Sequence, residues 1–284
     1  AQKSPVTVSP GFDGLAGRIR AMKRSVRDRG DVPVPIPELC SLGDRKSRYA
    51  AEIAAVCRKL ADLTARAVAS SRLPISLGGD HSLAVGSIAG VARVLDGRGE
   101  PPGVIWVDAH ADMNTPQTSP SGNVHGMPLA ACLGHGPPDL VAVGGGVHLR
   151  PENVVLMGIR NLDDREKTMV VNSGIRAYTM SDIDRRSLSS IMDDVLHQWA
   201  GEVAGIHLSL DLDGLDPEVA PGVGTPVRGG LSYREAHLLC EMVADSGKLL
   251  SMDLVELNPT LDLRNRTAEV GTELILSALG RRIL

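Results

Sequence analysis

The sequence predicts a three-layer α/β/α fold in which helices cover both faces of a mostly parallel central sheet. Strand-like and helix-like segments alternate almost strictly from residue 47 onward, which is typical of parallel sheets. The strand-like segments, such as residues 104–107 and 154–157, are short apolar runs of the kind expected when both faces are buried. No linker, low-complexity tract or repeat divides the 284 residues, so we assign 1–284 to one domain, in which the sequence leaves residues 1–45 unspecified.

Each element follows from the spacing of apolar residues and from the positions of glycine and proline. Ile53, Cys57 and Leu60 recur at helical spacing and predict a helix over residues 47–71, whereas the prolines of residues 32–38 exclude a central strand. Residues 134–149 are predicted to be a Gly-rich surface loop. Further helices are predicted over residues 82–95, 128–133, 182–199, 232–245 and 267–279, and strands over residues 73–77, 104–107, 154–157, 175–178, 205–213 and 249–257.

Composition excludes several classes of protein. The formal net charge is −4, which argues against nucleic-acid binding, because such proteins usually carry a basic surface. No apolar run approaches the roughly 18 residues that a bilayer-spanning helix needs, so no membrane partner is expected. The cysteines are far apart, match no metal-binding spacing and predict reduced thiols in a cytoplasmic protein; they are Cys40, Cys57, Cys132 and Cys240.

Polar side chains collect at the points where predicted strands end. In an open parallel sheet the ligand site lies outside the carboxyl ends of the strands, so clusters that are distant in sequence can converge there. His207, Ser209, Asp211 and Asp213 share one face of their predicted strand by the period of two. The strand-end groups are His81, then Asp108 with His110 and Asp112, then Asp163, Asp211 with Asp213, and Glu256.

Six of these groups form a coherent set of metal ligands. Four carboxylates carry too much negative charge for one divalent ion, but they suit two ions joined by bridging carboxylates. Two histidines with oxygen-rich ligation and no thiolate favour Mn²⁺ over a structural Zn²⁺ site. The set is His81, Asp108, His110, Asp112, Asp211 and Asp213.

Each cluster by itself also fits a plainer interpretation. Asp211 and Asp213 could lie in an acidic surface turn, and Asp108 to Asp112 could be a polar strand end. His81 after two glycines fits a structural loop residue, and only the joint occurrence of the clusters favours a metal site. His207 fits a hydrogen-bonded core histidine, whereas the remaining histidines of loops and helices are predicted to be surface residues: His135, His148, His197 and His237.

Three stretches resemble the signature motifs of the ureohydrolases, a family with a binuclear manganese centre. They are Gly78-Gly-Asp-His-Ser82, Asp108-Ala-His-Ala-Asp112 and Ser209-Leu-Asp-Leu-Asp-Gly-Leu-Asp-Pro217. The resemblance extends from about residue 73 to the C-terminus and is strongest to the bacterial type of arginase within that family. Residues 1–30 depart from the family's usual opening strand and Gly/Arg-rich loop, which predicts an altered edge of the sheet.

The resemblance implies an α/β/α enzyme that hydrolyses L-arginine to L-ornithine and urea with two Mn²⁺ per subunit. A hydroxide bridging the ions would attack the guanidinium carbon. Homotrimers or homohexamers are usual in the family. Asp108 and Asp211 would bridge the ions, and each ion would be completed by one histidine and one further aspartate: His81 with Asp112, and His110 with Asp213.

The resemblance also implies catalytic and substrate-binding roles. Asp112 would hold the proton of the hydroxide, His125 would shuttle protons, and Glu256 would pair with the substrate guanidinium. The implied substrate-binding residues are His110, Asn114, Ser121, Asn123, Asp163, Thr225 and Glu256. Asn114, Ser121 and Asn123 match groups that hold the α-carboxylate, and Asp163 matches the partner of the α-amino group.

Two alternatives to an arginase remain open. Asn, Ser and Asp commonly cap loops, so the groups assigned to the α-carboxylate and α-amino end do not exclude an agmatinase or another amidinohydrolase. A non-catalytic relative on the same fold is the second alternative, although it predicts the loss of at least one ligand and all six are present.

Overall fold

The computed structural model describes residue 12 and residues 14–282. Its centre is one six-stranded sheet, in which every paired strand is parallel to its neighbour. The strands follow the order β1-β6-β5-β2-β3-β4. They are β1 (Ile75–Leu77), β2 (Gly103–Val107), β3 (Val154–Ile159), β4 (Arg176–Thr179), β5 (Ile206–Asp211) and β6 (Leu249–Val255).

Helices pack on both faces of this sheet, so the predicted three-layer fold is confirmed. Alternate residues of β2 show the two faces, since Val104 and Trp106 pack in one apolar core while Ile105 and Val107 pack in the other. The helices are α1 (Leu15–Ala21), α2 (Ala50–Ala69), α3 (Ala84–Asp96), α4 (Pro128–Cys132), α5 (Pro138–Val141), α6 (Asp164–Ser173), α7 (Met180–Arg186), α8 (Leu188–Gln198), α9 (Tyr233–Asp245) and α10 (Arg266–Ala278).

Each face has its own set of helices. The core that contains Val104 and Trp106 is completed by α2, α3 and α4, through residues such as Ala54 and Ile88. The opposite core is completed by α1, α8, α9 and α10, through residues such as Leu274. No helix among the described residues is long and apolar enough to cross a membrane.

Two predicted segments differ from the structure. The helix expected over residues 182–199 is two helices, because Ser187 adopts a left-handed backbone (φ 67°) and its side chain accepts a hydrogen bond from the Ser190 backbone N–H. The predicted surface loop 134–149 contains α5, and it buries Leu140 and Val143 against α3 and α4. Local polar capping and tertiary burial override the sequence pattern in these places.

The described N-terminal region, from residue 14 to residue 74, contributes no strand to the sheet. Residues 32–38 form no strand, as their prolines predict, and between residues 14 and 74 no strand precedes β1. β1 is only three residues long and lies at an edge of the sheet. The altered edge of the sheet predicted from residues 1–30 partly involves residues 1–11 and 13, and these lie outside the described residues.

Candidate active site

The carboxyl ends of four neighbouring strands lie side by side at one end of the sheet. β1, β6, β5 and β2 are adjacent in that order, so the residues that follow them converge, as expected for a parallel sheet. His81 begins a short 3-10 turn after β1, Asp108 follows β2, Asp211 ends β5 and Glu256 follows β6. The six side chains predicted as metal ligands all lie in this cluster.

His81 organises one half of the cluster. Its Nδ1 atom lies 3.1 Å from Asp108 Oδ2, 3.2 Å from Asp211 Oδ2 and 3.4 Å from Asp112 Oδ2. The opposite nitrogen, Nε2, is 2.9 Å from Ser209 Oγ, and the ring stacks on Trp106 with centroids 3.9 Å apart. These contacts fix the imidazole so that one nitrogen faces the carboxylates.

His110 organises the other half and shares Asp108 with the first. Its Nδ1 atom lies 3.2 Å from Asp108 Oδ1 and 3.2 Å from Asp213 Oδ2. Two overlapping groups therefore each offer ligand atoms within 4.8 Å of one another, and each could hold a metal ion. The groups are His81 with Asp108 and Asp112, and His110 with Asp108 and Asp213.

Burial and close neighbours shift the pKa values of the acidic groups in the cluster. Burial, reinforced by neighbouring carboxylates, raises the pKa of Asp112 and of Asp211 well above the usual range. Burial also acts on Asp108, but hydrogen bonds from His110 and His81 outweigh it and lower its pKa. His110 shows the reciprocal effect. The hydrogen bonds and negative charges of Asp108 and Asp213 outweigh the effect of its burial and raise its pKa to about 11.

Asp213 does not lie on the strand face that the period of two predicts. β5 ends at Asp211, and residues Leu212–Gly214 form a 3-10 turn. Asp211 Oδ1 accepts a hydrogen bond from the Asp213 N–H at 2.7 Å, and this local bond turns the chain. The turn still delivers Asp213 to the cluster, where Oδ1 accepts from Ala109 N–H at 3.2 Å and Oδ2 accepts from Thr225 Oγ1 at 2.8 Å.

Two acidic residues of the site have left-handed backbones, which are uncommon outside glycine. Asp112 has φ 53°, and its carbonyl accepts hydrogen bonds from the first free N–H groups of α4, at Leu129 and Ala130. Glu256 has φ 65°, and its Oε1 accepts from His81 N–H at 2.8 Å. Burial and the nearby Asp80 raise the pKa of Glu256 to about 7.

The predicted substrate residues lie on loops at the rim of this cluster. Asn114 Nδ2 donates to Asp163 Oδ2 at 2.9 Å, and the buried Oδ1 atom of Asn114 has no hydrogen-bond partner among the described residues. Asp163 also caps α6 by accepting from Arg165 and Glu166 N–H groups. His125 lies half-buried in the short 3-10 turn Val124–Gly126.

Ser121 and Asn123 lie further out on the same rim. Ser121 is exposed, and its Oγ accepts from the Asn123 N–H at 3.1 Å. Asn123 Oδ1 accepts from Arg48 Nη1 at 3.2 Å. These contacts hold the loop itself and do not connect it directly to the carboxylate cluster.

Sequence reasoning gave no role at the site to several residues that contact it. Glu166 is buried, its Oε1 accepts from Met113 N–H at 3.0 Å, and burial raises its pKa to about 7. Trp106 Nε1 donates to Asp108 Oδ2 at 3.0 Å. Ser209 shares a strand face with Asp211, so its contact with His81 could have been inferred from the period of two, whereas Glu166 and Trp106 carried no comparable signal.

Two further histidines test the sequence interpretation. His207 is fully buried, with Nδ1 2.7 Å from Ser251 Oγ and Nε2 3.0 Å from Asp253 Oδ2, so the prediction of a hydrogen-bonded core histidine is confirmed. His237 was predicted to be a surface residue, and this is wrong. It is buried on α9, with Nδ1 2.8 Å from Ser277 Oγ on α10, because a helix–helix contact covers it.

Comparison with known proteins identifies the family. The model of the arginase family matches residues 10–280. An arginase from Bacillus caldovelox is 46% identical over 96% of this chain and 91% of its own, and its structure is similar with a TM-score of 0.92. An arginase from Bacillus subtilis (strain 168) is 44% identical over 95% of this chain and 89% of its own.

A more distant relative preserves the same architecture. The Entamoeba histolytica arginase, whose structure is a complex with L-ornithine, is 32% identical with a TM-score of 0.86, covering 98% of this chain and 95% of that chain. Both the sequence and the fold are thus matched over nearly their whole length. The chain belongs to the arginase family, and it resembles the bacterial members most closely among these relatives.

Proposed function

We propose that this protein hydrolyses L-arginine to L-ornithine and urea with two Mn²⁺ per subunit. The observation that carries the proposal is the pair of overlapping ligand groups that share Asp108. Relatives 44–46% identical over most of the chain are arginases, which supports the same reaction here.

The donor set fits a pair of divalent ions. Asp108, Asp112, Asp211 and Asp213 are all buried, and burying carboxylates without positive charge is costly. Burial and like charges already raise the pKa of Asp112 and Asp211, so a divalent cation would compensate charge that otherwise requires protons. Carboxylate and imidazole donors without a thiolate suit Mn²⁺.

We assign the ligands as two sets that meet at Asp108 and Asp211. His81 and Asp112 would complete one set, and His110 and Asp213 would complete the other. Asp211 would belong to both sets, which is supported by its contacts with a residue of each: Oδ2 is 3.2 Å from His81 Nδ1, and Oδ1 accepts a hydrogen bond from the backbone N–H of Asp213. When bound, the ion pair would supply a water acidic enough to attack a guanidinium carbon near neutral pH.

The chain's own residues would orient the substrate and move protons. Glu256 lies beside the cluster and would pair with the guanidinium, a planar group that carboxylates recognise through two parallel hydrogen bonds. Its hydrogen bond from His81 N–H fixes the carboxylate for this task. Asp112 would accept the proton of the attacking water, and His125 on the rim would carry a proton to the departing amine.

The amino-acid end of the substrate would bind at the rim. Asp163 offers a carboxylate to an α-amino group, and Asn114 is held against it by the 2.9 Å hydrogen bond. Asn114, Ser121 and Asn123 would hold the α-carboxylate, and His110 and Thr225 would line the pocket between the two ends. The complex of the Entamoeba histolytica arginase with L-ornithine supports an amino-acid ligand for this protein as well.

A urea assay tests the proposal against its alternatives. Metal-stripped protein is loaded with Mn²⁺ and incubated separately with L-arginine and with agmatine, which lacks the α-carboxylate. We expect urea from arginine and little from agmatine, and we expect EDTA to abolish it. Urea from agmatine alone would establish an agmatinase, and no urea from either substrate together with no bound metal would establish a non-catalytic relative.

We also propose that the protein is cytoplasmic and forms a homotrimer or homohexamer. Three of its four free cysteines are buried, which suits a reducing compartment. Val34, Ile36 and Leu39 are between 59% and 82% exposed, and apolar side chains grouped in this way favour a contact between subunits. Light scattering after size-exclusion chromatography measures the subunit number, and a monomer would contradict the proposal.

A further inference from the structure

One arginine beside the site forms an unusual set of contacts. Arg160 follows β3, and the hydrogen bonds of its guanidinium in the described part of the chain all go to main-chain carbonyls. Nη2 donates to Asp213 O at 2.7 Å, to Val227 O at 2.8 Å and to Leu215 O at 3.1 Å. Nη1 donates to Gly158 O and Gly214 O, both at 3.1 Å, and Nε donates to Val227 O at 3.3 Å.

Three successive carbonyls, at residues 213–215, therefore point at one guanidinium. They close the 3-10 turn that carries Asp213, and the last carbonyls of such a turn have no partner within it. The guanidinium, a planar fork of five N–H donors, can satisfy several carbonyls from one side. A lysine would supply the charge but not that geometry.

The backbone of the same residue holds a second ligand loop. The N–H groups of Arg160 and Asn161 donate to Ala109 O at 2.9 and 3.0 Å. Ala109 lies between Asp108 and His110, and its own N–H donates to Asp213 Oδ1 at 3.2 Å. Arg160 thus joins the loop of His110 to the turn of Asp213.

The glycine opposite the guanidinium is a necessary part of this arrangement. A Cβ atom at Gly230 would lie 2.5 Å from Arg160 Nη2 and 2.5 Å from Leu215 C. Any larger residue would displace the guanidinium or the turn. Through Val227, the same guanidinium also holds the loop that brings Thr225 to Asp213 Oδ2.

The His81 half of the cluster is supported by other contacts. Ser209 and Trp106 hold the His81 ring, and the N-terminus of α4 holds the Asp112 carbonyl. The guanidinium of Arg160 bonds main-chain carbonyls and no ligand side chain of either half. Apart from Gly158 O and Val227 O, the bonds of Arg160 reach the segments that carry His110 and Asp213. Removing the guanidinium should therefore weaken ion binding in the pocket of His110 and Asp213 and leave binding in the other pocket unchanged.

We propose that Arg160 is a positioning residue that sets the geometry of the His110–Asp213 ion pocket through the 213–215 carbonyls. This inference rests on the proposed two-ion function. The expected size follows from other metal sites, where losing a residue that supports a ligand weakens metal affinity about 10- to 100-fold.

The test is a titration of the metal-stripped, full-length protein with Mn²⁺, monitored by calorimetry and by electron paramagnetic resonance. The resonance spectra distinguish single from paired Mn²⁺. Arg160→Lys is the variant. Arg176→Lys is the matched control, because Arg176 is also half-buried but lies at the start of β4, away from the carboxyl ends of the strands. There it packs over Trp199 and donates to Glu152 O at 3.5 Å. Arg160→Gln is a second variant that also removes the charge.

For wild type and Arg176→Lys we expect two ions per subunit and a paired signal. For Arg160→Lys we expect one ion to retain wild-type affinity and the other to bind about 10- to 100-fold more weakly, with single-ion signals at limiting Mn²⁺. Unchanged affinity at both pockets, or equal weakening of both, would overturn the role of Arg160. So would circular dichroism showing both variants unfolded without metal, since Arg160 would then support the whole fold.

The titration of the wild-type protein separately tests the proposed two-ion function on which this inference rests. Fewer than two ions per subunit in wild type would overturn the two-ion function and the Arg160 proposal together. Two ions in wild type with no difference in the variants would leave the function standing and remove only the role of Arg160.

Discussion

Replacing Glu256 by glutamine should stabilise the metal-free protein while it damages activity. The carboxylate lies beside Asp80 and the carboxylate cluster, and burial raises its pKa from 4.5 to about 7. Glutamine keeps an oxygen that can accept the hydrogen bond from His81 N–H but cannot ionise. The substitution therefore removes a buried charge without removing that contact.

The size of the stabilisation depends on pH. Because the pKa in the folded protein exceeds that of the unfolded chain, the folded state resists ionisation, and stability is lost as pH rises from about 4.5 through about 7. Each pKa unit corresponds to about 1.4 kcal/mol. Glu256→Gln should thus raise the free energy of unfolding by about 3 kcal/mol at pH 8 and by less than about 1 kcal/mol at pH 5.

The assay is urea denaturation of EDTA-treated protein at pH 5 and pH 8, followed by circular dichroism. Glu269→Gln, an exposed glutamate on α10, is the control and should show no such difference. In Mn²⁺-loaded Glu256→Gln, kcat/KM for arginine should fall about 10- to 150-fold, which corresponds to the loss of one hydrogen bond between charged groups. Equal stabilisation at both pH values, or a loss of stability at pH 8, would refute the reasoning.

Three further substitutions separate the other parts of the site. His125→Ala should retain both Mn²⁺ by metal analysis and lower kcat about 10²- to 10⁴-fold; an unchanged kcat would remove the proton-shuttle role. Asp163→Ala removes the cap of α6, so it should cost about 1 kcal/mol of stability. It should also lower kcat/KM for arginine but not for 5-guanidinopentanoate, the arginine analogue that lacks the α-amino group. Gly122→Ala should raise KM while metal content stays constant, because Gly122 has φ +74° and a Cβ there would lie 2.1 Å from Arg45 O; an unchanged KM would show that the Ser121–Asn123 loop does not contact substrate.

The layered fold could be predicted because its signal is distributed along the chain. Six apolar runs alternate with helical segments, and burial on both sheet faces requires that pattern. The strand order could not be predicted, since neighbouring strands such as β1 and β6 are distant in sequence. The helix break at Ser187 was also not predictable, because it depends on one backbone angle and one capping bond.

The cluster itself could be predicted because strand-end residues of a parallel sheet share an edge. Its internal geometry could not be. Asp213 reaches the cluster from a turn rather than a strand because Asp211 bonds its backbone N–H. Arg160 gave no sequence signal, because its partners are main-chain carbonyls, which every residue possesses.

The site divides between two kinds of chain segment that can change independently. Asp108 and Asp211 lie at the ends of central strands, where substitution disturbs the core, whereas Asn114, Ser121 and Asn123 lie on a loop held by polar contacts such as that to Arg48. Loops tolerate sequence change better than buried strands do. A library randomised only over residues 114–125, sparing His125, could therefore redirect the enzyme toward other guanidino compounds without rebuilding the edge that would bind the ions.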